Sequence, residues 1–170
     1  MDPLLIVLRV VHVVGGVFWA GAILFVAHFL EPAVREAGPD GAKVMQALQR
    51  RRYLDVMPVV AALTLVSGFW LYWRTFGRVH PGPGASGVEL ALGIGGLVSL
   101  VAFVVGVTVM RPSALGIGRL GAELAQAPPD RTEALGAELA GLRRRVRAAG
   151  RVVAALLGIA IVCMAVARYL

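Results

Sequence analysis

The stretch LLIVLRVVHVVGGVFWAGAILFVAHFL, residues 4–30, contains no acidic side chain, and its one permanently charged residue is Arg9. Crossing the roughly 30 Å hydrocarbon layer of a bilayer takes about 20 helical residues, so the run reads as a membrane-spanning helix. It lacks the basic leader and small-residue cleavage site of a secretion signal and is expected to be retained. Asp2 and Pro3 at its start suit a helix cap followed by a first-turn proline. Inside it stands His12, an ionisable group in a medium that penalises ionisable groups, which makes it the first residue whose presence needs a reason.

Three more runs of this kind follow, at residues 56–76, 88–110 and 152–170. Of the 170 residues, 58% are hydrophobic and 16% charged, and the mean hydropathy is +0.78, a balance outside that of soluble domains. The expected fold is all-α: a single integral membrane domain over residues 1–170, built as a four-helix bundle with a cytoplasmic helical hairpin at about 113–150. Thirteen of the seventeen lysines and arginines lie between spans one and two or between spans three and four, including Arg50, Arg51, Arg52, Arg143, Arg144 and Arg145. By the positive-inside rule both segments are cytoplasmic, in a bacterial-type inner membrane, with both termini outside. The pI near 11.0 then reflects topology and contact with the bilayer's anionic lipid head groups, and no nucleic acid is expected. Cys163 is the only cysteine and forms no intrachain disulfide.

Between spans one and two, the turn GPDG precedes an amphipathic stretch over 42–53, expected to be a short interfacial helix. The outer loop at 74–87 is rich in Gly and Pro and is expected to be irregular. Helical pieces at about 113–126 and 132–150 flank the breaker Ala127-Pro128-Pro129-Asp130, and the second should run on into span four as one long helix. Small residues mark one face of each span: Gly15 and Gly16; Thr64, Ser67 and Gly68; Gly95, Gly96, Ser99, Ala102 and Gly106; Ala155, Gly158, Val162 and Ala165. Such faces let membrane helices pack closely. They also leave surface for a homo-oligomer or a partner membrane subunit. No sequence repeat of useful strength is visible.

His12 lies on the inward face of span one. Gly15 and Gly16 follow it within one turn and leave volume beside the imidazole, and Arg9 lies one turn outward. An imidazole, adjoining glycines and a guanidinium toward the surface suit a haem b: His12 as axial metal ligand, the glycines admitting the ring, Arg9 pairing with a propionate. A hydrogen bond from His12 to a neighbouring helix is the plainer alternative. His28 lies sixteen residues on and cannot share one iron with His12; it reads as an interfacial residue, and His80 falls in the outer loop. Met164 shares the depth of His12 but is expected to point away from the span-four face. The soft ligands Met57, Met110, Cys163 and Met164 do not cluster at ligand spacing, which leaves copper transport a distant third reading. No phosphate loop, CxxC, HExxH or serine-nucleophile motif occurs.

LRVVHVVGGVFWAGAILF resembles the opening helix of the HemJ-type protoporphyrinogen oxidases and of the related CopD-like small membrane proteins, and LTLVSGFWLYW, residues 63–73, is similar to their second-helix pattern. The resemblance covers about residues 4–75. It implies a four-helix membrane fold and, through the HemJ-like members, haem b on the early histidine, His12. That family's lysine near the start of the third helix is absent, since this chain reads GASGVELALGIGG with Glu89 there, so the oxidase activity does not carry over. The expected function is a haem-b-binding membrane redox protein, related to oxidoreductases; the alternative is a non-catalytic membrane subunit or scaffold whose hairpin binds a partner.

Overall fold

The structure, a computed structural model, describes residues 2–77 and 86–170. It consists of helices, with no strand among the described residues. Four helical rods, Pro3–Glu36, Tyr53–Phe76, Gly87–Leu124 and Pro129–Tyr169, are long and apolar enough to cross a membrane. Helix α1 (Pro3–Phe25) starts as its sequence demands, with Asp2 Oδ1 accepting from Leu4 N–H at 3.0 Å and Pro3 in the first turn. After α2 (Glu31–Glu36), Gly38 adopts φ +57°, open to glycine without strain, and starts α3 (Pro39–Arg50). Proline at the first helical position makes α3 begin within GPDG, earlier than the expected 42. Arg52, at φ 58°, breaks the chain between α3 and α4 (Tyr53–Phe76), so Tyr53 belongs to α4.

Helix α4 packs along α1, and the last long helix, α7 (Pro129–Val166), packs along α5 (Gly87–Val105); contacts of α4 with α5 and of α1 with α7 close the ring. Trp19, Ala20, Ile23, Ala61, Ala102, Val153, Ala154 and Leu157 form the shared core. Around it, large apolar side chains such as Phe18, Phe69 and Trp73 are exposed, the arrangement expected where the surrounding solvent is lipid. At 38 residues, α7 is about 57 Å long and outreaches a bilayer core. Its first half packs against α6 (Arg111–Leu124) through a second cluster of Leu120, Leu135 and Leu139. The long helix running into span four is as expected.

The helix that carries the third apolar run does not end at Met110. Helix α5 continues into α6 through a π-helical turn, Gly106–Met110, and α1 continues into α2 through another, Val26–Leu30. Each π turn is followed at once by a charged residue and a proline, Glu31-Pro32 and Arg111-Pro112. A proline inside a helix has no N–H for the carbonyl four residues back and crowds it. A widened turn accommodates this, with Glu31 N–H donating to Val26 O and Arg111 N–H to Gly106 O, each across five residues. The two π turns begin eighty positions apart, as do Gly15-Gly16 and Gly95-Gly96, and Pro32 and Pro112. The chain thus folds as two helical hairpins, each with a Gly-Gly pair, a π turn and a proline at the same spacing along its first rod.

On α7 the packed face differs from the expected small-residue one: Ala155, Val162 and Ala165 are exposed, while Val153, Leu157 and Ala160 are buried. The hollow is supplied by α5, where a Cβ on Gly95 would lie 3.2 Å from Cys163 Cβ and 3.3 Å from Met164 Cε. With the glycine on α5, α7 supplies the larger side chains, so Met164 faces α5.

Candidate functional site

His12 is half-buried at the α1–α4 contact, and its Nδ1 lies 2.8 Å from the Thr64 carbonyl. The carbonyl can only accept, so Nδ1 carries the proton and, in the neutral ring, Nε2 carries the lone pair. Ser67 Oγ donates to Leu63 O at 2.6 Å and also lies 3.1 Å from the Thr64 carbonyl. The fit around the ring is close. A Cβ on Gly68 would lie 2.5 Å from His12 Cε1 and 2.7 Å from Nδ1, and one on Gly15 would lie 2.6 Å from Thr64 Oγ1. Gly16 faces Thr64 Cγ2 at an ordinary 3.6 Å from its would-be Cβ. Gly15 and Gly16, expected to leave room for a flat ligand, face Thr64 instead, and Gly68 on α4 receives the imidazole.

Arg9 is exposed, with no ion-pair partner among the described residues. His28 is exposed and turned onto its own helix, Nδ1 to Leu24 O at 3.0 Å; His80 and part of the outer loop lie outside the described residues. Among the described residues no three His, Cys, Asp or Glu side chains converge on a metal position, which bears on a chelated ion rather than on haem iron. As a donor set for haem, His12 fits: a backbone carbonyl holding Nδ1–H is how metal-binding imidazoles are oriented, with Nε2 free. Beside Gly15 the Thr64 side chain takes the space expected for a flat ligand, while Gly16 meets it only in ordinary contact.

A second constellation lies where the apolar runs end, on the side of the basic segments. There Arg111 donates from Nε to Leu54 O at 3.1 Å and from Nη2 to Asp55 Oδ1 at 2.8 Å. Leu54 O is free to accept because Pro58, four residues on, has no N–H to give it. The readable signal is Pro58 inside an apolar helix; the partner on α6 leaves none. This contact borders a cleft of about 40 Å³ lined by Phe103, Gly106, Val107 and Arg111 against the start of α4. Tyr53 lines the same cleft, its buried hydroxyl without a hydrogen-bond partner among the described residues. Comparison with protein-family models, curated proteins and solved structures gives no match.

Proposed function

We propose that the chain is an integral membrane protein with its basic end in the cytoplasm and both termini outside, acting as a non-catalytic scaffold or subunit that presents the paired α6 and α7 to a partner. The observation that carries this reading is the His12–Thr64 hydrogen bond with Gly15 and Gly68 closed around it. The ionisable residue on the inward face of span one is thereby used in joining two spans, as polar groups in lipid commonly are.

A second reading, a haem-b-binding membrane redox protein, is favoured by the Nδ1–H tautomer and by the resemblance of residues 4–75 to HemJ-like proteins. In it Nε2 of His12 is the ligand and Arg9 the partner of a propionate; the haem supplies one-electron chemistry, and the chain orients the imidazole through Thr64. One measurement separates the two. The scaffold reading expects protein purified after expression with ample haem to be colourless, and His12→Ala to alter only stability. A Soret band with split visible bands on reduction, lost in His12→Ala and kept in His28→Ala, overturns it in favour of haem.

A further inference from the structure

The small cleft beside Arg111 has a counterpart. Ile23, Val26, Ala27 and Glu31 stand eighty positions before Phe103, Gly106, Val107 and Arg111, and they line a cleft at the same end of the bundle, facing α7 rather than α4. The volumes differ widely: about 610 Å³ in this cleft against about 40 Å³ in the other. The larger figure falls in the range of small-molecule sites, roughly 300–1,000 Å³.

The charges differ as well. In the small cleft Arg111 is matched by Asp55. The large one carries Arg35, Arg144, Arg147 and Arg151. Against these stands a single carboxylate, Glu31, 3.7 Å from Arg147. Three guanidiniums thus remain without a carboxylate in the cleft, above a floor that includes Val26 and Met110. The π turn at Val26–Leu30 contributes Val26 and Ala27 to that floor, and Met110 ends the other π turn. Widened turns of this kind often mark sites of function.

We propose that this cleft is a site for one anionic phospholipid, its phosphate headgroup among the arginines and its upper acyl chain along the apolar floor. Resting on the membrane reading above and independent of whether haem binds, the assignment follows from what the cleft combines. It couples unpaired guanidiniums, which suit phosphate oxygens, to an apolar wall at the level where the apolar runs of the helices give way to charge. A free phosphate would use the guanidiniums and leave the floor bare; a lipid covers both.

The test uses the full-length chain in detergent micelles, with native mass spectrometry of phosphatidylglycerol against phosphatidylcholine. Wild type is expected to retain phosphatidylglycerol preferentially, and Arg35→Gln/Arg144→Gln/Arg151→Gln to lower that retention by roughly tenfold or more, given the attraction of each basic residue to anionic lipid. A charge-matched control, Arg119→Gln/Arg143→Gln/Arg145→Gln, is expected to keep it. Val26→Trp, which fills the floor and leaves every charge, is expected to lose it while circular dichroism stays helical. Equal loss in the control and the cleft variant overturns the site in favour of diffuse surface attraction, and displacement of the lipid by inorganic phosphate overturns the lipid in favour of a phosphate ion. A chain that alkaline carbonate extracts from membranes overturns the membrane reading and this proposal together; one that resists extraction and shows no lipid preference overturns this proposal alone.

Discussion

At the scale of single residues, what distinguishes this chain is how completely small side chains and one imidazole are committed to each other. Gly68 has no room for a methyl group, because its Cβ would meet a ring held in place by the Thr64 carbonyl. Gly68→Ala is expected to destabilise the bundle by about 1–3 kcal/mol, the usual cost of overpacking a close contact. Gly96, with nothing within 4 Å of its would-be Cβ, is the control. Gly96→Ala is expected to be neutral or to stabilise by up to about 1 kcal/mol through helix propensity. Equal unfolding midpoints for the two variants in a denaturant titration of the micellar protein would show that Gly68 is not an interlock. That His12 faces inward was legible, since helical periodicity sets a face. Its acceptor was not, because a backbone carbonyl on another helix leaves no mark in residue types. Nor did the sequence reveal that Gly15 and Gly16 are filled: a glycine signals close approach and does not say whether a ligand or a neighbouring helix approaches.

Among the elements, the decisive features are prolines and the carbonyls they release. The four apolar rods could be read from hydropathy because length and composition suffice for that. The junctions at Glu31-Pro32 and Arg111-Pro112 could not, since proline normally ends a helix and here a π turn carries the helix past it. Pro58 acts differently, for the carbonyl it frees on Leu54 accepts from Arg111 across to α6. This coupling has a measurable signature. Arg111→Ala in the natural sequence leaves that carbonyl without its donor and is expected to cost about 1–3 kcal/mol. In a Pro58→Ala background, the backbone N–H gained at that position can satisfy Leu54 O, so the same substitution should cost less by about 1 kcal/mol. The Arg111–Asp55 ion pair, with the Asp55 side chain 61% exposed, adds little and cancels in the comparison. Strictly additive costs in this double-mutant cycle, read from unfolding curves, would remove Leu54 O as the link.

For the whole molecule, the two hairpins place their basic segments at one end. Gln49 Nε2 donates to Ala114 O at 3.3 Å, and Asp55–Arg111 and Glu31–Arg147 join the halves there. At the opposite end Asp2 pairs with Arg74 at 3.4 Å, and a Cβ on Gly87 would lie 3.1 Å from Leu170 Cβ. The bundle is therefore polarised along its axis, with thirteen of seventeen basic residues at one end. That charge asymmetry was legible because it is a count over loops. The matching of the two hairpins was harder to read, because it shows only in the spacing of two glycine pairs, two prolines and two π turns among otherwise different apolar residues. Membrane insertion with the basic end retained inside predicts a definite labelling pattern. With Cys163 replaced by Ser, Tyr169→Cys, at an exposed position beside the C-terminus, should react in intact cells with a thiol reagent that cannot cross membranes. Glu133→Cys, exposed near the start of α7, should react only after permeabilisation. Gly41 is unsuitable for such a probe, since a side chain there runs into the Val34 carbonyl. Labelling of Glu133→Cys in intact cells with Tyr169→Cys protected would invert the topology. It would also move the arginine cleft to the outer leaflet, where the internal retention of basic residues gives no account of it.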